Sequence, residues 1–94
     1  MLSQIPIKLD KVSERELDME ILRAAVIAEL DAVNLYEQLA ASTQNKQLKR
    51  VLLEVAREEK THVGEFQALL LKIDEEQVKE LEKGKEEVEE LTQE

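Results

Sequence analysis

The sequence contains no cysteine and has very few of the residues that interrupt helices or build aromatic cores. Without cysteine, the chain cannot form disulfides, cysteine-ligated zinc sites or iron–sulfur clusters. With one proline, two glycines and an aromatic content of 2%, the chain must build its core mainly from Leu, Val, Ala and Ile. This composition is typical of an all-α protein.

Basic charge is also scarce, because 22 acidic residues outnumber 13 basic ones and leave a formal net charge of −9. Such a surface repels phosphate backbones and anionic membranes and attracts cations. The sequence has no apolar run as long as a membrane span, and its N-terminus lacks the basic-then-apolar pattern of a signal peptide. We therefore expect a soluble, cytoplasmic protein with no nucleic-acid partner and no membrane partner.

The first third of the chain predicts an arm followed by a long helix. Residues 1–12 are mixed in character, contain Pro6 and show no periodicity. Ser13 and Glu16 then form an S-x-x-E capping box, in which each side chain satisfies a backbone amide of the first helical turn. We expect a helix from Ser13 to about Ala41.

A polar break at residues 42–45 separates this helix from a second one, predicted from about Lys46 to Lys72. Asp74 and Gln77 then indicate another capped start, for a shorter third helix that ends near Leu91. The predicted organisation is an N-terminal arm (1–12), an antiparallel helical hairpin (13–73) and an acidic C-terminal helix or linker (74–94). At 94 residues such a chain is one domain at most, with a core that is marginal unless partners complete it.

Each long helix carries a seam of residues at alternating spacings of three and four, interrupted by charged or polar side chains. The first seam is Leu22, Ala25, Glu29, Ala32, Tyr36 and Leu39, and the second is Leu48, Leu52, Val55, Glu59, His62, Phe66, Leu69 and Ile73. In an antiparallel hairpin with a short turn, Glu29 and Glu59 lie at similar distances from the turn. They should therefore face each other.

Glu29, Glu59 and His62 together predict a metal site. A Glu-x-x-His pair is common by chance, and a lone seam glutamate often lies at the edge of its stripe or pairs with a lysine or arginine. Two carboxylates buried close together, however, are costly unless a cation neutralises them. Residues three apart on a helix present their side chains to the same ion. Mixed carboxylate and imidazole ligation favours Fe(II), with Mn(II) or Zn(II) as possible substitutes.

One chain offers two such carboxylates and one imidazole, which is too few for a well-held pair of iron ions. Two chains related by a two-fold axis supply four glutamates and two histidines, the ligand set of dinuclear sites in four-helix bundles. We therefore expect two hairpins to dimerise into a ferritin-like four-helix bundle and to complete the metal site between them.

Two segments resemble the encapsulated ferritin family, a branch of the ferritin-like and rubrerythrin-like superfamily. They are Glu29-Leu30-Asp31-Ala32-Val33-Asn34-Leu35-Tyr36-Glu37-Gln38 and Glu58-Glu59-Lys60-Thr61-His62. The resemblance implies a two-helix protomer that dimerises to form a di-iron ferroxidase centre. It further implies that the dimers assemble into a decameric ring inside an encapsulin nanocompartment, with an encapsulin shell protein as partner.

Carried over by position, Glu29, Glu59 and His62 would be the iron ligands, with Glu59 as the bridge between the ions. Tyr36 would lie beside the centre. Asp31 matches a position that the family fills with glutamate, where it forms an accessory metal site on the path of iron entry. On sequence alone, Asp31 is a surface acid and Tyr36 a core tyrosine.

The expected function is ferroxidase activity, in which Fe(II) is oxidised by O2 or peroxide for iron storage or detoxification. A rubrerythrin-type peroxidase commonly carries a cysteine-ligated iron, which this chain cannot hold. Two alternatives stay open. The chain could be a non-enzymatic oligomerisation or cargo-adaptor module, with Glu29 and Glu59 paired to basic residues across the interface. It could also be a di-iron oxygenase for an organic substrate, which would need a substrate pocket and a reductase.

Overall fold

The computed structural model describes residues 13–93 and folds them into three α-helices, with no β-strand in that part of the chain. The helices are α1 (Glu14–Ser42), α2 (Lys46–Ile73) and α3 (Glu75–Leu91). The predicted all-α hairpin with a short third helix is confirmed, and each predicted helix end lies within one residue of the observed one. The predicted N-terminal arm lies outside the described residues. None of the three helices is both long enough and apolar enough to cross a membrane.

Each helix begins at a side chain that caps its first turn. The caps are Ser13, Asn45 and Asp74, whose side chains accept hydrogen bonds from the backbone N–H of Glu16, Leu48 and Gln77 at 3.3, 3.0 and 3.0 Å. Each such bond satisfies a backbone donor that has no partner within the helix, which is worth about 1 kcal/mol. The helix starts are therefore specified by local sequence.

The core between α1 and α2 is small. Its buried apolar side chains are Val33, Ala40, Ala56 and Leu70. Ala40 and Ala56 are each only 2% exposed, so the two helices approach closely where their side chains are short. Many larger apolar side chains of the hairpin stay exposed, among them Ile27, Leu30 and Leu53. The hairpin thus leaves apolar surface that it cannot cover by itself.

Asp74 joins all three helices at the corner between α2 and α3. It is the only buried charged residue of the described chain. One of its oxygens caps α3, and the other accepts a hydrogen bond of 2.9 Å from Nη2 of Arg23 on α1. The cap was predicted from sequence, but the ion pair with Arg23 was not. Because of this pair, the first turn of α3 is attached to both helices of the hairpin.

Candidate metal centre

Glu29, Glu59 and His62 meet between the two long helices, as the seams predicted. Nδ1 of His62 lies 3.4 Å from Oε2 of Glu29 and 3.3 Å from Oε2 of Glu59. One potential ligand atom from each of the three residues lies within 4.8 Å of the other two. The antiparallel packing of α1 on α2 brings Glu29 to the cluster, and the i, i+3 spacing on α2 places Glu59 and His62 side by side.

The two carboxylates are mostly shielded from solvent, whereas the imidazole is more open. The side chains of Glu29 and Glu59 are 20% and 18% exposed, and that of His62 is 43% exposed. Two negative charges held this close in a partly desolvated site repel each other strongly. A protonated imidazole offsets only one of them, while a divalent cation offsets both. The arrangement is therefore electrostatically suited to a cation.

The separations of the His62 nitrogen from the two carboxylate oxygens also fit ligation of one metal ion. Ligand atoms bound at about 2.1 Å to one ion lie roughly 3–4.2 Å apart, depending on the angle between them. The 3.3 and 3.4 Å separations around Nδ1 fall inside this range. Carboxylate oxygen and imidazole nitrogen are suitable donors for Fe(II), Mn(II) and Zn(II). Three protein donors leave further coordination positions open, which a second copy of the chain or small molecules can fill.

The basic side chains near the cluster pair with other acids. Nζ of Lys60 lies 3.3 Å from Oε2 of Glu37. The guanidinium of Arg57 hydrogen bonds to Glu54, and this contact holds the pKa of that carboxyl group below its ordinary value. Within residues 13–93, the nitrogen that contacts Glu29 and Glu59 is that of His62. No lysine or arginine of the described chain therefore neutralises the two seam carboxylates.

Tyr36 and Asp31 lie outside the cluster. Tyr36 is half-buried on the same side of α1, about two turns from Glu29, and the described residues show no hydrogen bond from it to the cluster. Asp31 follows Glu29 by two residues, which turns its side chain about 200° around the helix axis. The metal-binding role assigned to Asp31 and the catalytic role assigned to Tyr36 stay predictions.

Apolar grooves flank the cluster along the same side of the hairpin, which we call the site face. One groove, of about 290 Å³, is lined by Ile21, Leu22, Leu69 and Ile73. The other, of about 460 Å³, lies near the connection between α1 and α2 and is lined by Leu39, Leu48 and Leu52. Both continue the seams that carry Glu29, Glu59 and His62. The site face thus combines a polar centre with apolar surface at both ends, as the faces of helices buried between protomers do.

Comparison with known proteins places these features in context. The sequence matches the rubrerythrin family over residues 20–94. A ferritin-like–encapsulin shell fusion protein of Pyrococcus furiosus is 60% identical over 86 residues, which cover 92% of this chain and 25% of that protein. An encapsulin nanocompartment cargo protein of Myxococcus xanthus is 39% identical over 67 residues, or 71% of this chain and 51% of that protein. The chain thus spans a quarter and about half of the lengths of these two relatives.

The fold also matches a solved structure. The crystal structure of an encapsulated ferritin domain from Pyrococcus furiosus superposes with a TM-score of 0.85 at 58% sequence identity. The match covers 98% of this chain and 96% of that one. The arrangement of the three helices is therefore shared across nearly the whole length of both chains.

Proposed function

This chain belongs to the rubrerythrin family and to its encapsulated ferritin branch, and we propose that it oxidises Fe(II) to Fe(III) at a site completed by two copies. The observation that carries the proposal is the cluster of Glu29, Glu59 and His62, whose donor atoms suit iron in type and spacing. The oxidised iron is stored or detoxified. Iron is both the bound metal and the substrate in this proposal, and Mn(II) or Zn(II) can take its place.

Two copies supply a full set of ligands. One chain offers three donor side chains on a face that is otherwise apolar and open. When the site faces of two chains pack together around a two-fold axis, the four helices form a bundle whose centre holds four glutamates and two histidines. This set is sufficient for two ions. The same contact covers the apolar grooves, so closing the core and completing the site are one event.

The reaction balances with iron as the electron donor. Two Fe(II) ions each give up one electron, and O2 takes these two electrons with two protons to become H2O2. With peroxide as oxidant, the same two electrons and two protons yield two water molecules. The carboxylates of Glu29 and Glu59 bind and position the iron, and their negative charge stabilises the more highly charged ferric product. Nδ1 of His62 supplies the nitrogen donor.

We propose that this chemistry takes place inside a cytoplasmic encapsulin compartment. Two relatives support this location, since one is a ferritin-like–encapsulin shell fusion protein and the other is an encapsulin nanocompartment cargo protein. The partner would be an encapsulin shell protein, either separate from this domain or fused to it. Dimers that share the metal site would assemble further into a ring of ten chains.

Oxidation of Fe(II) in air by the purified chain tests the proposal. We expect the wild-type chain to oxidise Fe(II) faster than buffer, and Glu59→Gln and His62→Ala to reduce that rate at least ten-fold. Loss of residues that merely support a ligand typically costs about 10–100-fold in metal affinity or activity, so loss of a direct ligand should cost no less. Glu58→Gln is the matched control, because Glu58 is an exposed neighbour outside the cluster.

The proposal fails if the wild-type chain oxidises iron no faster than buffer, or if the Glu59 and His62 variants match the Glu58 control. Elemental analysis of the purified chain separates the adaptor alternative from this one. An adaptor module with its seam carboxylates paired to basic residues would hold no stoichiometric metal.

A further inference from the structure

One nitrogen of Arg23 contacts two other side chains. Nη2 of Arg23 donates a hydrogen bond of 2.9 Å to Oδ2 of Asp74, and the same nitrogen lies 4.0 Å from Sδ of Met19. Met19 precedes Arg23 by four residues, so both side chains project from the same side of α1. The guanidinium therefore lies between a thioether on α1 and the carboxylate that caps α3.

The two contacts of Nη2 differ greatly in strength. The carboxylate of Asp74 is charged and accepts at a normal hydrogen-bond distance, whereas a thioether sulfur is a weak acceptor. Each Nη nitrogen of arginine carries two N–H groups. The bond to Asp74 needs one of them, and the other is directed at Met19. The thioether thus makes poor use of a strong donor.

The position of α3 depends on the carboxylate that Arg23 binds. Asp74 is the one residue between α2 and α3, and its backbone N–H donates a hydrogen bond of 2.9 Å to the carbonyl oxygen of Leu70. Its Oδ1 accepts a hydrogen bond of 3.0 Å from the backbone N–H of Gln77. The side chain of Asp74 is 12% exposed and that of Arg23 is 49% exposed. The pair is therefore well anchored at Asp74, and its Arg23 end has more room to move.

Met19 is the sulfur side chain of the described chain on which peroxide can act. The sequence has no cysteine and two methionines, of which Met1 lies outside the described residues. Met19 is partly exposed, so a molecule as small as hydrogen peroxide can reach its sulfur. Its contact partner Arg23 lines the groove of about 380 Å³ beside α3 and does not line the grooves of the site face.

Oxidation of Met19 puts a strong acceptor in front of the second N–H group of Arg23. The oxygen of a sulfoxide is polar, unlike the thioether it replaces. If it is added on the side of Sδ that faces Arg23, it occupies the gap of 4.0 Å and comes within hydrogen-bond reach of Nη2. We propose that Met19 is a site of reversible oxidation by hydrogen peroxide, and that Arg23 binds the sulfoxide oxygen and thereby tightens the Arg23–Asp74 pair.

The oxidation transfers one oxygen atom. The sulfur of Met19 gives two electrons to hydrogen peroxide, the O–O bond breaks, and one oxygen forms a bond to sulfur. The other oxygen leaves as water with both protons of the peroxide. Methionine sulfoxide reductases reverse the change, with one enzyme for each epimer. Oxidation of Fe(II) by O2 supplies the peroxide; this source rests on the proposed function, whereas the modification itself needs only peroxide.

Mass spectrometry of the full chain treated with hydrogen peroxide tests the modification. We expect the peptide that contains Met19 to gain one oxygen atom, and the Met19→Leu chain to show no such gain at this position. The dose is set on the wild-type chain unfolded in urea, where Met19 has no neighbours. The inference is overturned if Met19 in the folded chain stays unmodified after the treatment that oxidises it completely in urea.

Hydrogen exchange in the first turn of α3 tests the role of Arg23. In the oxidised wild-type chain, exchange at the backbone N–H of Gln77 should slow by about two-fold or more, because two strong acceptors then fix the guanidinium instead of one. Methionine sulfoxide ordinarily disrupts packed contacts, which makes exchange faster. Unchanged or faster exchange in the oxidised wild-type chain overturns the inference.

Arg23→Leu separates binding by Arg23 from other effects of oxidation. In this variant, oxidation should leave the exchange at Gln77 unchanged or make it faster. Arg57→Leu is the matched control, since it removes the same charge from an arginine that pairs with Glu54, and here oxidation should slow exchange as in the wild type. Slower exchange in oxidised Arg23→Leu would show that the sulfoxide acts through another partner. Circular dichroism checks that the variants are helical, and the wild-type comparison stands without them.

The source of the peroxide keeps this inference apart from the ferroxidase. Both tests use peroxide added to the metal-free chain, so their results do not depend on whether the chain oxidises Fe(II). A chain that is inactive toward Fe(II), yet binds the Met19 sulfoxide through Arg23, refutes the ferroxidase alone. An active chain whose Met19 resists peroxide refutes the oxidation site alone.

Discussion

Nδ1 of His62 is the atom at which a proton and the proposed metal ion would compete. It lies within 3.4 Å of both glutamate carboxylates, so without metal a protonated Nδ1 donates a hydrogen bond toward them. With metal bound, the same atom must be deprotonated to act as a ligand. The side chain that stabilises the metal-free cluster is also one that must change its state when metal binds.

Tyr36 is the residue through which a role beyond metal binding can be tested. Tyr36→Phe removes the hydroxyl and keeps the ring, so the packing of the helices should change by about 1 kcal/mol or less. If the phenol assists the reaction beside the centre, the rate of Fe(II) oxidation should fall about ten-fold while bound metal per chain stays constant. Stopped-flow absorbance and elemental analysis measure the two quantities. Equal rates in variant and wild type would assign Tyr36 to packing alone.

Among the helices, the contact between α1 and α2 sets the geometry of the candidate centre. Ala40 and Ala56 are almost fully buried, and their short side chains let the two helix axes come close. That distance determines how far Glu29 is from Glu59 and His62. Packing at Ala56 thus affects the distance between Glu59, one turn further along α2, and Glu29 on α1.

Ala56→Leu should weaken metal binding without touching a ligand. Forcing a larger side chain into a packed contact typically costs about 1–3 kcal/mol and shifts the backbone. We expect a lower midpoint in thermal unfolding and a weaker affinity for Mn(II), measured by titration calorimetry. Ala68→Leu is the control, because Ala68 is exposed on the same helix. Unchanged Mn(II) affinity in Ala56→Leu would show that the ligand positions do not depend on this contact.

As a whole molecule, the chain is a protomer with more apolar surface than it can bury. Within residues 13–93, its buried apolar core consists of four side chains, two of them alanines. The site face holds three of the ligands proposed for the metal, and exposed apolar side chains remain elsewhere on the hairpin and on α3. In the proposed dimer, stability, metal binding and assembly would be coupled, since the contact that covers these surfaces would also bring the ligands together.

Dilution should dissociate the proposed dimer and so separate the two halves of its metal site. As the protein concentration falls through the range where copies dissociate, bound Fe(II) per chain under anaerobic conditions should fall with the dimer fraction. Conversely, metal at 100 times its dissociation constant should stabilise the assembled form by about 2.7 kcal/mol. Sedimentation velocity with and without Fe(II) measures the dimer fraction, and elemental analysis of the same samples measures the iron bound per chain. Constant metal content per chain in a dilute, monomeric sample would contradict a shared site.

The amino-acid sequence by itself determined the helices and the choice of polar seam residues. Capping by Ser13 and Asp74 depends on residues three apart, and the seams depend on a repeat within one helix, so both can be recognised locally. The resemblance to encapsulated ferritins rested on the same local segments.

The tertiary structure decided the contacts across the helices that no local pattern predicts, and the atomic distances within the cluster. The pairing of Arg23 with Asp74, 51 residues apart, left no local pattern in the sequence. The position of His62 Nδ1 between two carboxylates also required the actual rotation and register of α1 on α2. Those quantities result from close packing at Val33, Ala40 and Ala56, because the fit of side chains across an interface depends on both helices at once.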